Sequence, residues 1–246
     1  MRNFVLAITL ILCSSLYGQK TITFESSDGL DVTADLYIVH KKSAPFIVLF
    51  HQANWSRGEY QEIAPKLNAM GYNCMAVDQR SGGAVNGVQN KTRQSAVKEL
   101  KATSYVDALP DMMAAIKHAK TNFVEGKLIL WGSSYSSALV LRILGDNPEI
   151  ADAGLAFAPG EYFANQGKTK QWIAEGAQNI NKPVFITSAK NEKNGWWKIY
   201  EAIPVEGKSY FLPETMGNHG SRALWEKFND SRDYWSAVTN FLNSLG

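Results

Sequence analysis

Leu128-Ile129-Leu130-Trp131-Gly132-Ser133-Ser134-Tyr135-Ser136-Ser137 is an apolar run of strand length that breaks at Gly132 and reopens as a hydrophobic helix. A serine in a sharp strand-to-helix turn is exposed at the top of a sheet, over a helix N-terminus, where its hydroxyl can act as a nucleophile. The stretch matches G-x-S-x-G in part, because Ser136 stands at the last position. The helix that follows is apolar on nearly every side (Ala138, Leu139, Val140, Leu141, Ile143, Leu144), so it is expected in the middle of the fold, stopped by Gly145 and Pro148.

Outward from that turn, strands and helices alternate. Upstream, 21–39 alternates apolar and polar residues around Ser27-Asp28-Gly29, the pattern of an antiparallel hairpin. Pro45–Phe50 and Cys74–Val77 are continuous apolar runs, as strands buried on both faces require. Helical spacing covers 59–70, ending at Gly71, and resumes from Ser104 through Ala119 with a bend expected at Pro110. The polar segment 84–103 shows no clear pattern; its length suggests a functional or mobile loop, and its Asn90-Lys91-Thr92 sequon reads as chance.

Downstream, strands are expected over 153–158, 182–187 and 208–212, with helices over 196–202 and 221–245. A short helix in 159–181 has the size of a cap. The expected fold is therefore α/β: a mostly parallel sheet with an antiparallel N-terminal hairpin and helices on both faces, in one domain spanning 19–246.

At 246 residues and 45% hydrophobic content, the chain can bury one substantial core. A formal net charge of +2, with no basic block or stripe, argues against nucleic acid as a partner. Arg2 followed by the apolar run Phe4–Leu12 and small residues to Gly18 has the layout of a signal peptide, 1–18, with cleavage favoured after Gly18 over Ser15. Export to the periplasm or medium, with no membrane span in the mature chain, is the expectation. Lipidation at Cys13 is disfavoured by the bulky Leu12 before it. Cys74 would then be the one remaining cysteine, placed in a strand as a buried, inert thiol.

A serine attacks poorly without a base, a group that orients the base, and donors for the oxyanion. Among His40, His51, His118 and His219, the last sits in the polar loop Met216-Gly217-Asn218-His219-Gly220, suited to a positioned, exposed imidazole. His51 at a strand end reads as a loop anchor, and His40 and His118 as solvated. The chain order serine, acid, histidine confines the acid to 134–219, where no aspartate lies beyond Asp152. Glu192, in the loop after strand 183–187, is the candidate; Glu206 and Glu214 compete as surface residues, and Glu161 more weakly. The Tyr135 N–H and a backbone N–H of Gln52 or Ala53 are the expected oxyanion donors. Trp55, Trp196 and Trp197 either shape the pocket or pack in the core. No ligand cluster appears at metal spacing, and the chemistry requires neither metal nor cofactor.

On Phe50-His51-Gln52-Ala53, Asp78-Gln79-Arg80-Ser81-Gly82-Gly83, Gly132-Ser133-Ser134-Tyr135-Ser136, the Glu192 loop and His219-Gly220, residues 21–246 resemble the α/β-hydrolase superfamily. Within it the resemblance is to dienelactone hydrolase-like and prolyl-oligopeptidase-like small serine hydrolases. The resemblance implies a Ser134–Glu192–His219 triad and hydrolysis through an acyl-enzyme. Gln52 and Ser136 stand where the family has glycines, and a serine nucleophile does not carry over the dienelactone substrate. The resulting expectation is an exported serine hydrolase acting on a small-molecule carboxylic ester. A small serine peptidase, or a binding protein retaining the fold without turnover, is the alternative.

Overall fold

A computed structural model describes residues 19–246, so residues 1–18, expected to be a signal peptide, and Cys13 among them lie outside the described residues. In chain order the elements are β1 (Lys20–Glu25), β2 (Asp31–Tyr37), β3 (Phe46–Phe50), α1 (Ile63–Ala69), β4 (Asn73–Val77), β5 (Ala84–Val85), β6 (Val88–Gln89) and α2 (Lys91–Lys98). Then follow α3 (Leu109–Asn122), β7 (Leu128–Ser133), α4 (Tyr135–Asp146), β8 (Ala153–Phe157), α5 (Trp172–Ala177), β9 (Val184–Thr187), α6 (Lys193–Ala202), β10 (Lys208–Phe211) and α7 (Ser231–Ser244).

Eight strands form one sheet in the order β1-β2-β4-β3-β7-β8-β9-β10. β2 runs antiparallel to both β1 and β4, and the remaining pairs are parallel. Both faces of the sheet are covered, which is why its central strands are apolar without alternation. Phe46, Val48 and Phe50 face the core under α3 and α4, whereas Ile47 and Leu49 face the core under α1 and α7. Every residue of α4 from Tyr135 to Gly145 except Arg142 is buried.

The register matters for function. Phe50 pairs with both Val77 and Gly132, Ser133 with Phe157, and Phe157 with Thr187. The residues that follow β3, β7, β8 and β9 therefore emerge together at one end of the sheet. β3 is also where the strand order reverses, with β4 on one side and β7 on the other. In open parallel sheets such a reversal opens a crevice at the carboxyl ends of the strands.

Several local expectations need correction. The segment 84–103 is not unstructured: β5 and β6 pair as a short hairpin, and α2 follows. Asn90 is buried, accepting the Arg93 N–H as the N-cap of α2 and lying 3.0 Å from His51 Nε2, a structural side chain that agrees with the sequon's being chance. Pro110 does not bend α3; it occupies the first turn, where a missing N–H costs nothing. α4 runs through Gly145 to Asp146; a Cβ at Gly145 would lie 2.0 Å from the Gly176 carbonyl of α5, so this glycine serves close helix packing rather than ending the helix. The C-terminal helix begins only at Ser231, after a 3-10 turn at Ser221–Leu224. Within 159–181, α5 packs along α4 and α6.

Candidate active site

Ser134 sits between β7 and α4 with φ 58° and ψ −123°, a conformation that L-residues other than glycine avoid. Such a residue stores about 1–3 kcal/mol of strain and persists only where its surroundings over-determine it. Here they do. The Ser134 N–H donates to Phe157 O at 2.7 Å, and a Cβ on Gly132 would lie 2.4 Å from Ser137 Cα, so only glycine lets α4 leave the strand this tightly. Ser136, the departure from the motif, is fully buried; its Oγ accepts the Ser133 N–H at 2.9 Å and lies 2.8 Å from Phe50 O. The hydroxyl thus ties the turn to the end of β3, which the missing glycine could not have done.

His219 Nδ1 lies 2.6 Å from Glu192 Oε1, with both side chains about one-third exposed. Glu192 Oε2 accepts the Ala189 N–H at 3.1 Å, which fixes the plane of the carboxylate. A carboxylate facing Nδ1 assigns the proton there and leaves Nε2 free to accept one. Tyr234 joins the two loops: its hydroxyl donates to Ser188 O at 3.0 Å and accepts the Asn218 N–H at 3.4 Å. The loop after His219 is fixed to the Ser134 turn, since the Ser221 N–H donates to Ser133 Oγ at 2.8 Å. Gly220 has φ 73°, and a Cβ there would meet Ser133 Oγ at 2.6 Å and Gln52 Oε1 at 2.7 Å. Among the described residues no hydrogen bond joins Ser134 Oγ to His219; in ligand-free enzymes a serine–histidine bond is often long and tightens on the substrate, so its absence does not decide the role of either residue.

The two amides proposed after β3 part company. The Gln52 N–H donates to Glu59 Oε2 at 2.8 Å, so Gln52 is not an oxyanion donor. The Ala53 N–H has no acceptor among the described residues. His51 aims it. Fully buried, His51 accepts the Gln79 N–H on Nε2 at 3.0 Å, which places its own proton on Nδ1, 2.8 Å from Gln52 O. Because a trans peptide points its C=O and N–H in opposite directions, the held carbonyl directs the Ala53 N–H away from His51. Burial pushes the His51 imidazole down to about 4, keeping it neutral for this task. The Tyr135 N–H stands in the first turn of α4, where backbone donors have no intrahelical partner.

Other candidates fall elsewhere. Trp196 is fully buried and donates to Ser188 Oγ at 2.8 Å, so it supports the Glu192 loop from the core rather than lining a pocket. Trp197 is partly buried in an aromatic group with Tyr200 and Tyr210, under the Lys193 ammonium. Trp55 stacks on Trp225 with centroids 5.2 Å apart. Glu161 accepts the Ile173 and Ala174 N–H groups, both at 2.9 Å, as a cap on α5. Glu206 and Glu214 are exposed. His118 stacks on Phe24 at 4.5 Å, and His40 Nε2 bonds to Asn68 O at 2.7 Å, so neither is simply solvated.

Sequence reasoning missed Tyr162, whose hydroxyl donates to Ala158 O at 2.9 Å beside the Ser134 side chain, with burial pushing its phenol up to about 12. It also missed Glu59. A groove of about 590 Å³ between Phe24–Ser27 and α3 shares no residue with the serine–histidine site.

A parallel sheet reversing at β3, with a strained serine at the tip of β7 and a histidine–glutamate pair on later loops, defines an α/β hydrolase. Residues 41–196 match the family model described as serine aminopeptidase, S33, and the chain belongs to that family. The match takes in the Ser134 turn and Glu192 and ends before His219. Among solved structures, the chain is similar to an esterase of Pyrococcus furiosus, with 18% identity over 93% of each chain and a TM-score of 0.70. A dienelactone hydrolase from Anabaena variabilis has 10% identity over 91% of this chain and 95% of that one, with a TM-score of 0.68. Est1E from Butyrivibrio proteoclasticus has 12% identity over 92% and 98%, also with a TM-score of 0.68. At such identities the likeness is one of fold. Curated protein sequences contain no match.

Proposed function

We propose that the chain is an exported serine hydrolase that cleaves a small carboxylic ester through an acyl-enzyme on Ser134. The observation that carries this reading is the 2.6 Å His219–Glu192 pair, tied through Ser221 and Ser133 to the strained Ser134 turn. Ser134 Oγ attacks the ester carbonyl while His219 Nε2 takes its proton. Glu192 holds the imidazole and stabilises its cation. The Ala53 and Tyr135 N–H groups receive the tetrahedral oxyanion. Collapse expels the alcohol, which takes the proton from His219; water then enters by the same route and releases the acid and Ser134.

The family's description favours a second reading, an aminopeptidase on short peptides. Such an enzyme must neutralise the substrate's α-ammonium. Glu192 and Glu59 are committed to His219 and to Gln52 and Ser133 respectively, so neither is free for that ammonium, which supports the ester reading. Fluorophosphonate should label the wild type and not Ser134→Ala, with p-nitrophenyl esters cleaved faster than aminoacyl anilides. An unlabelled wild type inert toward these esters would sink the serine-hydrolase reading, and faster cleavage of the anilides would favour the peptidase. Export rests on the 1–18 pattern; the N-terminus of protein recovered from the native host should begin at Gln19. Among the described residues no helix is long and apolar enough to cross a membrane.

A further inference from the structure

Below the serine lies a carboxylate that the proposed mechanism does not use. Glu59, in the 3-10 turn Arg57–Tyr60, has no accessible surface. Its Oε2 accepts the Gln52 N–H at 2.8 Å, and its Oε1 accepts the Ser133 hydroxyl at 2.7 Å. Ser133 Oγ in turn accepts the Ser221 N–H, two residues after His219. The main-chain carbonyl of Glu59 accepts the indole N–H of Trp225, further along the same segment, at 2.9 Å. One side chain therefore touches or reaches through a single hydroxyl all three loops that carry reacting groups. These are the loop of the Ala53 amide, the turn of Ser134 and the loop of His219.

We propose that Glu59 is a positioning residue, whose ionised carboxylate holds the oxyanion loop, the nucleophile turn and the histidine loop in mutual register. The proposal rests on the reading of Ser134 as the nucleophile. The chemistry asks for a carboxylate specifically. Only an ionised acid accepts on both oxygens; a protonated acid or an amide turns one side into a donor. Facing Ser133, an amide would leave the serine proton without its acceptor; facing the Gln52 N–H, it would set donor against donor. Apolar residues fill such a place at less cost, because an ionised group loses its hydration when buried. Burial accordingly pushes the Glu59 carboxyl up to about 7, opposed by the bonds from Ser133 and Gln52 and by the charges of His219 and Arg222. The neutral titratable groups beside it are the phenols of Tyr60 and Tyr135.

The test uses the whole mature chain and p-nitrophenyl acetate. Glu59→Gln should lower kcat by ~10- to 100-fold, less than outright loss of an oxyanion donor, because the donors are misaligned rather than removed. KM should stay within about 3-fold, since ground-state binding does not depend on the register of the reacting groups. Ser133→Ala, which cuts the link to Ser221 while leaving the Gln52 bond, should also lower kcat. The double variant should be little worse than the worse single variant, as expected for two residues in one chain of bonds. A Glu59→Gln kcat within 2-fold of wild type, or losses that multiply independently, would overturn the proposal. Should Glu59→Gln not fold, Ser133→Ala alone decides, with a kcat within 2-fold of wild type overturning it. A wild type that fluorophosphonate does not label refutes the Ser134 reading and this proposal together. A labelled wild type with an unaffected Glu59→Gln refutes the proposal alone.

Discussion

Replacing Glu192 by glutamine should do more than remove a charge. The wild-type carboxylate accepts twice, from His219 Nδ1 at 2.6 Å and from the Ala189 N–H at 3.1 Å. Glutamine has one oxygen and one NH2 group for these two places. The Ala189 N–H is a fixed donor, so the amide oxygen must turn to it and the NH2 must face His219. Nδ1 then becomes the acceptor, and the imidazole proton moves to Nε2, where the base needs a lone pair. An imidazole in the wrong tautomer cannot take the Ser134 proton without first exchanging its own. In serine triads an amide at this place costs about 10⁴-fold in kcat. With both side chains about one-third exposed, water can assist the exchange, which sets the expectation at the lower end. A loss of ~10³-fold, about 4 kcal/mol of barrier, is expected. The assay is kcat on a p-nitrophenyl ester together with the fluorophosphonate labelling rate, both of which should fall. Glu206→Gln and Glu214→Gln should stay within about 3-fold, as surface substitutions away from special features do. A Glu192→Gln enzyme within 3-fold of an active wild type would refute the tautomer reasoning, and a collapse confined to Glu206→Gln or Glu214→Gln would reassign the acid.

Gly220→Ala should destabilise by about 1–3 kcal/mol, from a left-handed φ of 73° and the clash with Ser133 Oγ and Gln52 Oε1, and should lower kcat as well; an unchanged denaturation midpoint counts against it. Stability should also respond to acid through two buried groups of opposite sign. His51, lowered to about 4 from 6.5, contributes stability at neutral pH that is lost as pH falls from about 6.5 through 4. Glu59, raised from 4.5 to about 7, does the reverse, its burial penalty lifting over about 7 to 4.5 as the carboxyl takes up its proton. The wild type should therefore lose little stability from this pair between pH 6.5 and 4.5. Glu59→Gln, with the His51 response unopposed, should lose about 2–3 kcal/mol more than wild type over that window; equal slopes in denaturant titrations would contradict the assignment. Cys74, the one cysteine among the described residues, is fully buried and its thiol is pushed up by burial, so a thiol reagent should label it only after denaturation. Labelling of the native protein at the rate of a free thiol would show that this strand opens.

Much of the architecture is legible in the sequence because its signals are local. Continuous apolar runs at 46–50, 74–77 and 128–131 read as strands with both faces covered, and the turn at Gly132–Ser136 needs no distant partner to be recognised. His219 was legible as a loop imidazole between glycines, and Glu192 by its place after a strand. The misses share a cause. Trp196 could shape the pocket or pack in the core, and only the surrounding elements, which bury it, decide for the core. The polar run 84–103 hides a helix whose N-cap is Asn90.

Glu59 shows most clearly where local reasoning stops. In Ser56-Arg57-Gly58-Glu59-Tyr60 it looks like a charge on a helix entrance, indistinguishable from a solvated one. Its Ser133 partner lies 74 residues away, and the Trp225 indole that bonds its carbonyl 166. Period and turn chemistry act over a few residues and so are written in the order of the amino acids, which is why strands, helices and the serine turn could be read there. Which buried polar atom meets which is settled only when β3 and β7 pair in register and bring the ends of their loops together. Packing has then removed water as an alternative partner, and a buried carboxylate must keep the donors that the fold places beside it.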